Sequence, residues 1–175
     1  MELPSAKRTL ISLGVCAVLG VGIYYFVPRT PGEPSTDSLV TTALTAPDSA
    51  QRVRAVVELG QKPPHEGNVV IPNLRKLVNE SKDAEVVAVA LHGLKNFHDF
   101  EPLQYVYGME HEDARVRDKG WIGLQTCKNE FWAGLAYKPD APLEARKQAT
   151  QEARKRIEEY EKRSQIMRQN KNAVR

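Results

Sequence analysis

Residues 48–60 read DSAQRVRAVVELG, residues 83–95 read DAEVVAVALHGLK, and residues 113–125 read DARVRDKGWIGLQ. Set in register, the three begin on Asp48, Asp83 and Asp113, which lie 35 and then 30 residues apart. A period of that size is the mark of stacked helical repeats. Aspartate at the head of each segment suits the N-cap of a helix, where the carboxylate accepts hydrogen bonds from the first free amides. Ala55, Ala90 and Gly120 follow seven residues on, and Leu59, Leu94 and Leu124 eleven on. At about 3.6 residues per turn these positions share one face, so small and large residues alternate along a buried stripe. The small ones are expected to let neighbouring helices pack closely, and Gly60 to end the first helix in a left-handed conformation.

Another amphipathic stretch precedes each segment. Residues 35–45 carry Leu39, Val40, Ala43 and Leu44, and Pro47 stops them. Residues 68–79 carry Val70, Ile71, Leu74, Leu77 and Val78, with Pro72 expected in the first turn, where a missing amide is tolerated. Residues 98–109 carry Leu103, Val106 and Tyr107. The expected fold is all-α: three antiparallel helix pairs stacked into a short α-solenoid over residues 36–137.

The pattern Asp-x-x-Val-Arg-x-x-Ala-x-x-x-Leu resembles HEAT repeats, in particular the bacterial, bilin-lyase-type HEAT-like repeats. Asp113, Val116, Arg117 and Leu124 fit it, as do Asp83, Val86, Ala90 and Leu94. The first copy has Gln51 in place of valine but keeps Arg52, Ala55, Leu59 and Gly60. The second has Val87 in place of arginine, which would interrupt an aspartate–arginine ladder. The resemblance covers roughly residues 36–127. It implies an interaction scaffold that binds protein along its surface. A minority of such arrays act on tetrapyrroles or on damaged DNA, so a lyase or chaperone handling a tetrapyrrole is the rival reading.

Leu10 to Val27 contains neither charge nor proline. As a helix this run spans roughly 27 Å, close to the ~30 Å hydrocarbon core of a bilayer. Tyr24 and Tyr25 at its far end suit the headgroup region. A cleaved signal peptide would end in small residues, whereas this run ends in Tyr24, Tyr25, Phe26, Val27 and Pro28. Residues 1–27 are therefore read as a cytoplasmic stub and single-pass transmembrane anchor, with residues 10–27 in the bilayer. Lys7 and Arg8 ahead of the run outweigh Arg29 behind it, which places the bulk of the chain on the non-cytoplasmic, periplasmic side. Ser12, Cys16 and Gly20 recur every four residues, a small-residue stripe through which two such helices can dimerise. Residues 28–35, with Pro28, Pro31 and Pro34, form a stiff linker.

Beyond the repeats, Phe131 to Tyr137 is apolar and is expected to cap the last pair, with Trp132 as the plug. Asp140 is expected to cap a long, charged helix running from Pro142 to near Asn170, within a C-terminal segment of residues 138–175. From Glu144 to Arg175 there are ten Lys/Arg and five Asp/Glu, a charge of +5 out of a total of +3. The helix has a thin apolar stripe: Leu143, Ala149, Ala153, Ile157, Tyr160 and Met167. Its first half would pack on the last repeat, or the whole would stand exposed or lie on an acidic surface. No aromatic residues are interleaved with the charges in the way that nucleic-acid binding favours, so nucleic acid is not an expected partner.

Catalytic chemistry is almost absent. His65, His92, His98 and His111 are scattered, no phosphate loop or nucleophile elbow occurs, and no metal spacing links Cys16 to Cys127. No catalytic residue, cofactor or metal is assigned, and the chain is read as non-catalytic. The positions five, six and nine past each aspartate point away from the buried stripe. Among them Val53, Arg54, Val57, Val89, His92, Lys119 and Ile122 form a strip with more β-branched aliphatics than a solvated face needs. The strip is expected either to bind a protein partner or to lie beneath the C-terminal helix.

Overall fold

The computed structural model describes residues 32–127 and 129–173. The proposed anchor, with Ser12, Cys16 and Gly20, lies outside them. The chain divides after Pro34, and Ser35–Arg175 packs as one unit. Its elements are α1 (Thr36–Thr45), α2 (Ser49–Gly60), a 3-10 turn (Pro64–Glu66), α3 (Gly67–Glu80), α4 (Ala84–Asn96), α5 (Pro102–Glu110), α6 (Ala114–Thr126), α7 (Asn129–Trp132) and α8 (Leu143–Ala173). The described residues contain no strand, so the fold is all-α.

Three helix pairs are each joined by a three-residue turn, 46–48, 81–83 and 111–113, whose last residue is one of the repeated aspartates. Asp48 accepts from the Ala50 and Gln51 amides, Asp83 from Glu85 and Asp113 from Arg115. Ser35 caps α1 in the same way, through Ser38. The expected stripes are buried: Ala55, Ala90, Leu59, Leu94 and Leu124 all fall in the core. α1 packs on α2, α3 on α4 and α5 on α6. The second helices form one row, α2 on α4 and α4 on α6, and the first helices another, α1 on α3 and α3 on α5.

Small residues set the spacing of these rows. A Cβ on Gly120 would stand 2.6 Å from the Met109 amide nitrogen and 2.7 Å from the Gly108 carbonyl carbon. A Cβ on Gly123 would run into the Tyr105 ring. Gly60 acts differently from its expected role. It is the last residue of α2, and the positive-φ glycines are Gly32 and Gly134. A Cβ there would lie 3.7 Å from the Gly93 Cα, so Gly60 faces α4 and does not reverse the chain.

Two other expected boundaries move. α3 starts at Gly67, after the 3-10 turn, and Pro72 lies inside the helix as its sixth residue, not in the first turn. Pro72 and Asn68 are both exposed, so the carbonyl left without an amide partner faces water. α5 starts at Pro102 and not at His98, because residues 97–101 form a turn in which His98 takes a left-handed φ of 54°. Asp99 holds this turn. Its buried carboxylate takes both Nε (2.8 Å) and Nη2 of Arg75 from α3, and the Glu101 amide as well. The Tyr105 hydroxyl donates to the Asp99 carbonyl at 3.0 Å.

The interrupted ladder is seen directly. Arg52 reaches from the first pair to the cap of the second, with Nη2 2.6 Å and Nε 3.1 Å from Asp83 Oδ2, while Ser49 Oγ donates to the same oxygen at 2.7 Å. Val87 offers no such rung to Asp113, whose carboxylate takes Arg115 of its own helix instead. Arg117 turns back to the carbonyls of His111 and Glu112 and reaches the Pro139 carbonyl at 2.6 Å.

Trp132, Leu135 and Tyr137 are buried, and the Tyr137 hydroxyl donates to the Met109 carbonyl at 2.6 Å. α8 begins at Leu143, with the Pro142 carbonyl accepting from Arg146, so Pro142 and not Asp140 stands at the cap. The first half of α8 packs on α5 through Ala149, Ala153 and Ile157. Arg154 adds a bidentate pair with Glu110 and lies 5.1 Å above the Tyr107 ring. Leu143, Tyr160, Ile166 and Met167 are exposed.

Gly120→Ala should lower stability by about 1–3 kcal/mol, since backbone on the facing helix must move. Gly60→Ala, with only ordinary contact to meet, should be neutral or stabilising by up to about 1 kcal/mol. Denaturant melts check both, and equal losses would mean that the rows are not set by backbone approach at Gly120. The hydroxyl of Ser49, and then the guanidinium of Arg52, lower the Asp83 carboxyl from 3.8 to about 2. A depressed carboxylate stabilises the fold fully above its unfolded value and loses that contribution as the pH falls toward the folded one. Asp83→Asn should therefore lower the melting temperature at pH 6, with the gap to wild type closing between about pH 4 and pH 2. A gap independent of pH would show that the Arg52–Asp83 rung carries no stability.

Candidate functional site

Residues 49–60, 84–96 and 114–126 form the second-helix row, and the strip read from the sequence runs along it. The structure divides that strip into two kinds of position. Arg54, Val57 and His92 are exposed, Val57 to 38%. Val53, Val89, Lys119 and Ile122 are half-buried, and Val53 and Val89 pack partly against the core. The difference follows from the stacking. Val53 and Val89, five and six past their caps, lean on the core, whereas Arg54 and the ninth positions of α2 and α4 are exposed.

Where α4 meets α6, the row carries a hollow of 540 Å³ lined by Glu85, Ala88, Ala114, Arg115, Asp118 and Lys119. Its ionised groups balance, two of each sign. The Arg115 side chain and amide hold the Asp113 carboxyl at about 2, so that carboxylate stays charged at any physiological pH. Partial desolvation, and then the charges of Lys95 and Lys119, lower the His92 imidazole below its usual range, which leaves it neutral at neutral pH. The row thus presents apolar valines with a charge-balanced hollow at one end. It has no concentration of positive charge to attract a polyanion.

Among the described residues no three His, Cys, Asp or Glu side chains converge on a metal position. Cys127 is a buried free thiol, and burial raises it to about 12, so it stays protonated and unreactive. His92, His98 and His111 occupy different elements: His92 lies on α4, His98 in the turn before α5, and the His111 ring accepts from the Asp113 amide.

Sequence reasoning missed Asp99 and Arg75. Asp99 anchors the turn between the second and third pairs through Arg75. The two lie 24 residues apart on different helices, and no periodic signal connects them. A comparison with protein-family models, with curated proteins and with solved structures finds no match for this chain.

Proposed function

We propose that this chain is a membrane-tethered, HEAT-like α-solenoid scaffold that holds a protein partner along its second-helix row and carries out no chemistry of its own. The observation that carries the reading is the exposed Val57, at 38%, in line with Val53, Val89 and Ile122, on a row that differs from the one α8 packs against. Aliphatic side chains left in water on a repeat surface favour burial by a partner, at about 25 cal/mol per Å² of apolar area removed. The balanced charges around the hollow suit a protein surface with mixed side chains. Tethering is supported by the uncharged run Leu10–Val27 and by the proline-rich linker after it. The Ser12, Cys16 and Gly20 stripe supports pairing of two anchors. Among the described residues no helix is long and apolar enough to cross a membrane, so the tether rests on that run.

Val57→Asp with Ile122→Asp should abolish co-purification of proteins retained by the detergent-extracted full-length chain, with helical content and melting temperature kept near wild type. Val57→Asp alone, at an exposed position, separates loss of binding from loss of fold if the double variant melts early. A double variant that stays folded and keeps every partner would remove this row from consideration. For topology, a reporter active only in the cytoplasm and fused after Arg175 should be silent. Activity there would reverse the orientation.

A further inference from the structure

Away from the second-helix row, the start of α5, Cys127 just beyond α6, α7 and the middle of α8 enclose a cleft of 310 Å³. Cys127, Trp132 and Ile157, all buried, form its floor, and Phe100, Phe131 and Tyr160 line it above. Phe131 stands edge-on to Trp132 (ring centroids 5.0 Å apart) and to Tyr160 (5.6 Å). Phe100 is 63% exposed and Tyr160 42%, an unusual amount of ring surface to leave in water at a cleft mouth.

The polar groups of the floor are already engaged. The Trp132 indole N–H donates to the Cys127 carbonyl, and the Cys127 thiol lies 3.7 Å from the Asp99 carbonyl and 3.6 Å from that of Gly123. What this floor offers a ligand is π-face and sulfur. Among the described residues the acidic lining groups are Glu101 and Glu161, and neither forms an ion pair with a described residue. Two nearby cations among the described residues are engaged elsewhere. Arg75 is committed to Asp99, and Arg156 to the Phe131 and Ala133 carbonyls and to Glu152.

Aromatic rings attract cations through their quadrupole, and a recess combining several rings with carboxylates favours a cation carrying an apolar skirt. An anion would meet two like charges, and a neutral apolar ligand would gain nothing from the carboxylates. We propose that this cleft binds an alkylated organic cation, a quaternary ammonium or N-methylated lysine head, with the rings around its methyl groups and Glu101 and Glu161 at its charge. The volume lies at the lower end of the range for small-ligand sites, about 300–1,000 Å³, and suits one such head with a short stem. The turn that carries Phe100 and Glu101 is held by the Arg75–Asp99 pair, so the site is preformed. No residue of the second-helix row takes part, and the inference stands independently of the scaffold reading.

The test uses the full-length chain in maltoside micelles with both tryptophans, Trp121 and Trp132, replaced biosynthetically by 5-fluorotryptophan. Fluorine NMR then follows titration with choline, with its neutral isostere 3,3-dimethyl-1-butanol, and with a trimethyllysine peptide. Choline should shift the Trp132 resonance saturably and leave that of Trp121 in place, and it should bind at least tenfold more tightly than the isostere. Glu101→Gln with Glu161→Gln should remove that preference, and Phe100→Ala, at an exposed position, should weaken choline with the melting temperature unchanged. A peptide that binds more tightly than choline identifies a protein side chain as the source of the cation, and equal affinity a free amine. The proposal is overturned by a non-saturable shift, by equal binding of the isostere, or by a double glutamine variant that binds choline as wild type does.

Discussion

The backbone approach of α6 to α5 is the contact on which the third helix pair depends. Gly120 lets α6 lie against the Gly108–Met109 backbone, and Gly123 leaves room for the Tyr105 ring. Tyr105, fully buried, then reaches the Asp99 carbonyl with its hydroxyl. Burial pushes its phenol well above the usual range, so it acts only as a neutral donor. Asp99 in turn holds Arg75 of the second pair. One close approach therefore governs a chain of contacts from α6 through α5 to α3. A buried carboxylate such as Asp99 is tolerated only because a bidentate guanidinium meets it. Removing one partner of such a pair typically costs about 3–5 kcal/mol, since the other charge is left in low dielectric.

The second helices were legible because their determinants are local and periodic. A cap, a small residue seven on and a leucine eleven on are all set by the pitch of a single helix, so all three second helices lie where the sequence puts them. The misplacements have a common origin in neighbours that are distant in sequence. Gly60 answers to Gly93 across the row and not to its own helix end. The Asp99 anchor, held by Arg75 of another helix, converted the expected first turn of α5 into a left-handed corner at His98. For the strip, the pattern identified residues off the buried stripe. It did not separate Val57 and His92, which face water, from Val53 and Val89, which pack partly against the core. The aromatic cleft was not legible at all, because its lining comes from four elements whose proximity depends on how α8 docks.

How α8 docks also explains why the two faces differ. A stack of helix pairs leaves its last pair uncovered, and something must bury that end. In this chain Trp132, Leu135 and Tyr137 close it, and Ala149, Ala153 and Ile157 of α8 fit against α5. Two of those three are alanines, so α8 can approach closely yet buries little apolar area per turn. The bidentate Arg154–Glu110 pair and the Arg156 contacts to the Phe131 and Ala133 carbonyls then fix its position along α5. Because that contact spends the first-helix side of the last pair, α8 leaves the second-helix row, with Val57 and the charge-balanced hollow, to solvent. Docking also brings Ile157, Tyr160 and Glu161 over α7, which turns the edge of the end cap into a recess with aromatic walls and carboxylate charge. The same economy of apolar surface that makes α8 faint in the sequence thus leaves one face uncovered and creates the other.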